Sequence, residues 1–433
     1  MSTQLKLDRM KNMDQFNYKT GELYVEDVPV SSICKSVGTP VYVYSASAII
    51  NNYTTLKKSL DGLNHLICYS VKANSNVAIL KLLADLGAGM DVVSVGEYLR
   101  AKAAGVPGES IVFSGVGKSR AEISEVLNGG IRQFNVESEA ELEVLNEIAK
   151  SLKIVAPITL RVNPDIDAKT HEKISTGKKE DKFGIPITWA RKIYQKASSL
   201  EGIKIVGIDV HIGSQLMDLS PFRLAYEKIA ELAKELIEDG HNIERLDLGG
   251  GLGIAYKKSN ERQPLPSEYG TIIKETVGSL GCEIQIEPGR FIVGNAGILV
   301  SEVLYKKSGL DREFLILDSA MNDLVRPSMY QAYHEIIPVS DPALIPNVYQ
   351  YDVVGPVCET GDMFASQRTL SEMTAGDLVA VLSAGAYGAV MASEYNSRPL
   401  VPEVLVQGDK FFTIRKRPLM KEIISRDLIP SWL

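Results

Sequence analysis

Between Val41 and about Val300 the chain repeats one pattern: a short β-rich apolar run, a polar or glycine turn, then a stretch with Ala, Leu, Glu and Lys at helical spacing. Eight runs fit the first part of the pattern: His65–Val71, Met90–Ser94, Ile111–Ser114, Gln133–Val136, Ile158–Val162, Val206–His211, Glu244–Leu248 and Glu283–Glu287. Helices are predicted between them at Asn76–Leu86, Ser119–Leu127, Ser138–Ala149, Ala190–Leu200 and Pro221–Ile237. Strand runs this short are ill suited to a sandwich, and eight alternations of this kind predict a (β/α)₈ TIM-like barrel. One more helix, Ser45–Leu60, is expected before the first barrel strand, with Ser45 as its N-cap. The runs Leu23–Val28, Val41–Tyr44, Leu315–Leu317, Tyr351–Val354, Leu378–Leu382 and Lys410–Ile414 read instead as strands joined by turns. The chain is therefore expected to form an α/β barrel over 41–300 and a second, mainly β domain from 1–40 plus 301–433.

Composition narrows the function classes. With 45% hydrophobic and 23% charged residues among 433, the chain can build a sizeable core. The net charge of -7 is too balanced for a nucleic-acid footprint, and the densest basic run is only Arg415-Lys416-Arg417. No uncharged apolar stretch is long enough to span a membrane, and the N-terminus lacks a secretory apolar core, so no membrane partner and a cytoplasmic location are expected. Cys34, Cys68, Cys282 and Cys358 are scattered without a CxxC pair, and the five histidines show no close ligand spacing. Neither a disulfide framework nor a catalytic metal is expected.

In such a barrel, reactive groups belong just after the carboxyl ends of the strands. The first strand ends in Tyr69-Ser-Val-Lys-Ala-Asn74 and puts Lys72 at that rim. The sixth ends in Asp209-Val-His-Ile-Gly-Ser-Gln215, the seventh in Asp247-Leu-Gly-Gly-Gly-Leu-Gly253, and the eighth in Glu283-Ile-Gln-Ile-Glu-Pro-Gly-Arg290. Gly249, Gly250 and Gly251 can bring backbone N–H groups to an anion, with Ser214 and Arg290 as further donors. Glu287 ends an apolar strand, where a carboxylate needs a cationic or protonated partner. His211 offers a flat ring that can stack or shuttle a proton. Taken singly, Lys72 also fits a solvated charge and the glycines a tight corner. The Gly251-Leu-Gly253 pair lacks the third glycine of a dinucleotide fingerprint, and no GxxxxGK[ST] occurs. Together, an imine-forming amine, a phosphate cradle, a stacking ring and an acid for a protonated ring nitrogen describe a pyridoxal 5'-phosphate site.

At these residues the sequence resembles the barrel-type pyridoxal-phosphate-dependent amino-acid decarboxylases, whose two-domain architecture is alanine-racemase-like. The resemblance also takes in Met90-Asp-Val-Val-Ser94 with Gly96-Glu97, and the loop His171 to Gly184 with Ile174-Ser-Thr-Gly177 and Lys182-Phe-Gly184. It implies that Lys72 attaches the cofactor and is displaced by substrate, His211 stacks on the ring, and Glu287 pairs with the ring nitrogen. It assigns Ser214, Gly249, Gly250, Gly251, Gly289, Arg290 and Tyr387 to the phosphate. Arg290, Arg326, Tyr330, Glu359 and Tyr387 are assigned to the substrate, and Cys358 is the implied proton donor to the substrate carbon, in a loop given across a homodimer with shared active sites. By periodicity alone Arg326, Tyr330, Cys358, Glu359 and Tyr387 read as ordinary packing or surface residues. The resemblance is closest to the members that convert meso-2,6-diaminopimelate to L-lysine and carbon dioxide. Ornithine, arginine or carboxynorspermidine is the alternative substrate, and a non-catalytic regulatory relative the alternative class.

Overall fold

The computed structural model describes residues 15–167, 182–257 and 262–433. Of the loop His171 to Gly184, only 182–184 are among them, so Ile174 to Gly177 lie outside the described residues. Two compact units emerge: Asn52–Ile254 with Arg262–Ile292, and the described parts of Met1–Asn51, Ala255–Glu261 and Val293–Leu433.

The larger unit is a closed parallel barrel of β1 (His65–Ser70), β2 (Gly89–Val92), β3 (Ile111–Phe113), β4 (Gln133–Val136), β5 (Ala156–Asn163), β6 (Ile203–Asp209), β7 (Arg245–Asp247) and β8 (Glu283–Ile286). Each strand pairs with the next in chain order, and β8 closes onto β1 with Ile286 opposite Ile67. At the exits of the first four strands a polar residue accepts a backbone N–H of the following helix's first turn. Asn76, Ser94, Ser119 and Ser138 do so for Val77–Asp85, Val95–Ala103, Arg120–Gly129 and Glu139–Leu152. Ser45 likewise accepts from Ala48 N at 3.0 Å, capping Ala46–Ser59. The helix Val95–Ala103 escapes a periodicity search because it buries only Tyr98 and Ala101.

The barrel interior is polar where it approaches the rim. Asp91, Gln133, Asn135, Thr159, Asp247 and Gln285 are all fully buried. Groups like these are tolerated only when their hydrogen bonds are made internally, and that network shapes the site below.

The smaller unit is a mixed sheet around the long strand Gly297–Ser308, which pairs antiparallel with Val41–Ser45, Glu313–Leu317 and Leu378–Val381. Val41–Ser45 also pairs in parallel with Glu403–Gln407. These ladders draw 41–45 and 297–300 into this sheet and not the barrel, so the larger unit starts and stops inside the expected 41–300 bounds. Val41, Val43, Ile298, Val300, Val404 and Val406 form the middle of its core.

Candidate active site

All barrel strands run parallel, so their carboxyl ends share one rim. Lys72 sits there in the single turn Val71–Ala73 that follows β1. Its Nζ lies 3.0 Å from Asp91 Oδ2, on an aspartate with 0% side-chain exposure, while the lysine side chain keeps 37%. Ser70 Oγ donates to the same oxygen at 2.7 Å. The amine is thus tethered at its root yet open at the mouth. Asp91 was not singled out from the sequence. Its signal was an acidic residue inside an apolar strand run, the pattern that drew attention to Glu287.

Glu287, just past β8, is 6% exposed. Its Oε1 accepts from Asn135 Nδ2 at 3.2 Å and Ser114 Oγ at 3.4 Å. Burial, then the neighbouring Asp247 and Asp91, push its carboxyl well above the ordinary range. Asp209, Asp247 and Glu287 bring carboxylate oxygens within 4.8 Å of one another. Asp247 already accepts from several N–H groups, whose hydrogens would face a cation, so the trio is built for hydrogen bonding.

His211 follows β6, and its Nδ1 accepts from Gly250 N at 3.1 Å. The ring proton must then sit on Nε2, and burial, then Arg161 and Lys72, lower the ring's pKa well below its usual value. A neutral, flat imidazole at the rim suits stacking. Arg161 itself donates to Glu137 Oε1 at 2.6 Å, a buried pair next to the ring.

The glycine run is fixed by backbone proximity. A Cβ on Gly249, Gly250 or Gly251 would lie 2.4, 2.2 or 2.4 Å from the carbonyl oxygen of Val210, Glu287 or Gly213, respectively. Gly249 and Gly251 also have φ of +65° and +111°, where L side chains are strained. The N–H of Gly249 is committed to Asp247 Oδ1 at 3.2 Å, and that of Gly250 to His211. These two glycines therefore act in this structure by shape and by orienting neighbours. Arg290 Nη2 donates to Ser214 Oγ at 3.2 Å, bringing the ends of β6 and β8 together. Gly289 would put a Cβ 2.9 Å from that of Ala73, so it lets the Glu-Pro-Gly-Arg turn close on the Lys72 segment.

In the smaller unit, Arg326 and Tyr330 begin and end the one-turn helix Arg326–Tyr330, as their four-residue spacing requires. Arg326 Nη1 lies 2.8 Å from His334 Nε2, and its guanidinium sits 4.6 Å over the Tyr256 ring. His334 Nδ1 is 2.9 Å from the Leu382 carbonyl, which can only accept. The imidazole is thus the Nδ1–H tautomer, and its Nε2 lone pair orients Arg326. His334 is a positioning residue that sequence reasoning passed over, since a lone buried histidine carries no spacing signal. The turn bearing Cys358 and Glu359 is pinned from both sides. Asp362 accepts from Met321 N and Val357 N, and Ser328 Oγ donates to Gly361 O at 2.7 Å. The Cys358 thiol is left exposed. Tyr395 hydrogen-bonds Glu359, which raises its own pKa. Tyr387 occupies left-handed backbone at φ 54°, a costly conformation for an aromatic residue.

A lysine, a buried acid, a neutral imidazole and a glycine turn at the rim of one parallel barrel define the class of barrel-type pyridoxal-phosphate enzymes. The family described as pyridoxal-dependent decarboxylase, pyridoxal binding domain, matches residues 46–294. The diaminopimelate decarboxylase of Zymomonas mobilis is 49% identical over 424 residues, 97% of this chain and 100% of the relative. The structure of diaminopimelate decarboxylase from Helicobacter pylori complexed with L-lysine superposes with a TM-score of 0.88 at 42% identity, covering 92% of this chain and 98% of that one. That from M. jannaschii in co-complex with L-lysine gives 0.92 at 36%, covering 98% and 99%. The chain belongs to the diaminopimelate decarboxylase family. Among the described residues no helix is long and apolar enough to cross a membrane.

Proposed function

We propose that this protein removes carbon dioxide from meso-2,6-diaminopimelate and releases L-lysine, using pyridoxal 5'-phosphate. The observation that carries the reading is the barrel rim: Lys72 held by Asp91, with Glu287 buried among hydrogen-bond donors and His211 neutral. The residues present fit the cofactor. Lys72 would supply the amine that holds it, Glu287 would face its ring nitrogen, and His211 would lie against its ring. Ser214, Gly251, Gly289 and Arg290 would serve its phosphate with Tyr387, while Gly249 and Gly250 would keep the floor of the cradle clear. When bound, the cofactor supplies an electron sink for the carbon that loses its carboxylate.

The protein's own residues do the rest. Asp91, 3.0 Å from the Lys72 amine, holds that side chain at the rim. Arg326, positioned by His334 and Tyr256, holds a substrate carboxylate with Tyr330 and Arg290. Glu359 receives the distal amino group, with Tyr387 beside the substrate, and the Cys358 thiol returns a proton to the substrate carbon. A pocket that reads both an amine and a carboxylate at the far end rejects ornithine and arginine, whose far ends carry no carboxylate. The exposed Cys358 turn suits donation to a neighbouring subunit, so a homodimer with shared active sites is part of the proposal. So is a cytoplasmic location, supported by four cysteines that all remain free thiols.

The test is turnover of meso-diaminopimelate, ornithine, arginine and carboxynorspermidine offered separately, with product identification. One L-lysine per carbon dioxide, from the first substrate only, is expected. Turnover of ornithine without turnover of meso-diaminopimelate overturns the substrate assignment.

A further inference from the structure

Beneath the rim, the polar interior of the barrel fixes where charge and proton reside. Gln285 Oε1 accepts from Arg132 Nε at 3.0 Å, so its amide nitrogen must point the other way, onto Asp247 Oδ2. Asn135 Oδ1 accepts from Thr159 Oγ1 at 2.7 Å and Gln133 Nε2 at 3.0 Å, which turns its Nδ2 toward the carboxylates. That nitrogen lies 3.2 Å from both Asp247 Oδ2 and Glu287 Oε1. Gln133 Nε2 adds a longer contact to Asp247 Oδ2 at 3.3 Å, and Gly249 N donates to Oδ1 at 3.2 Å. Four N–H donors therefore converge on Asp247, and amide nitrogens can only donate. Glu287 receives the shared Asn135 contact and the long one from Ser114.

We propose that Asp247 is the fixed anion of the barrel interior and a positioning residue for Glu287, which carries the proton in the cofactor-free protein and delivers it to the ring nitrogen. The step balances: the Glu287 O–H bond breaks, an N–H bond forms on the ring, and Glu287 is left as the carboxylate facing it. Asp247 stays charged throughout and favours a proton on its neighbour. Burial raises both acids; the Asp247 and Asp91 charges raise Glu287 again, whereas the Asn135 and Gly249 donors lower Asp247. Asp91, Lys72, Asp209, Arg161 and the Cys68 thiol are the other charged or titratable groups that interact with this pair.

The inference deepens the proposed function, but its test needs neither substrate nor turnover. In cofactor-free protein at about pH 8, infrared difference spectra would compare wild type with Glu287→Gln and Asp247→Asn. The expected result is loss of one protonated-carboxyl band in Glu287→Gln. In Asp247→Asn that band should persist but titrate away about one pH unit or more lower, since the like charge is gone. A band that survives Glu287→Gln and vanishes in Asp247→Asn would put the proton on Asp247 and overturn the proposal. If Asp247→Asn does not fold, retention of the full band in Glu287→Gln still refutes it. Absence of meso-diaminopimelate turnover would refute the functional reading and leave this result unchanged.

Discussion

The substitution Gly250→Ala isolates the part played by the glycine run. Gly250 does not need left-handed backbone, unlike Gly249 and Gly251, so a methyl group there acts through space alone. Its Cβ would sit 2.2 Å from the Glu287 carbonyl oxygen, about 1.2 Å inside ordinary contact, and the obstacle is backbone that cannot rotate away. The junction of β7 and β8 must open. Overpacking of this kind costs about 1–3 kcal/mol. Opening also displaces the Gly250 N–H from His211 and moves the residue bearing the ring-nitrogen acid. If the strain falls mainly on the loaded state, cofactor affinity drops by roughly 5- to 150-fold at 1.4 kcal/mol per tenfold. If it falls on both states alike, the melting temperature drops and affinity does not. Fluorescence titration with pyridoxal phosphate, alongside thermal denaturation of the cofactor-free protein, separates the two. Wild-type affinity together with wild-type stability would refute the reasoning.

His334→Leu removes the acceptor that orients Arg326, a hydrogen bond to a charged group worth about 1.5–3 kcal/mol. KM for meso-diaminopimelate should rise roughly 10- to 150-fold with a smaller change in kcat, and His334→Gln, which can still donate and accept, should recover much of the loss. Equal effects of the two substitutions in steady-state kinetics would remove His334 from substrate positioning. Asp323 is pushed up to about 6, chiefly by burial. The folded protein then keeps a proton that the unfolded chain releases near pH 4, so this group's contribution to stability falls as pH rises from about 4 to 6. Urea midpoints across that window should fall less steeply in Asp323→Asn than in wild type.

The barrel was legible because each strand run ends in a turn, and the first four turns carry a helix cap, local signals that survive without tertiary context. Lys72, His211 and Glu287 were legible for a related reason: strand ends of a parallel barrel must share a rim, so three distant motifs point to one place. The interior was not. Asn135 and Asp247 each fit an ordinary strand, and only closure of β8 onto β1 makes them neighbours. The long strand Gly297–Ser308 was missed because its second half, Ile-free and lysine-bearing, is exposed and breaks the apolar pattern. His334 gave no signal because its partners, Arg326 and the Leu382 carbonyl, are set by the fold and not by spacing. The hydrogen bonds of Gly249 and Gly250 show the same limit, since a glycine run advertises close approach without saying which groups approach.

The central claim is that Lys72 at the barrel rim is the residue that holds the cofactor. Borohydride reduction of the reconstituted protein, followed by peptide mass analysis, tests it most directly. The account predicts a single pyridoxyl-modified peptide carrying the label on Lys72, and none in Lys72→Ala. A label on any other lysine, or an unchanged label in Lys72→Ala, would contradict it.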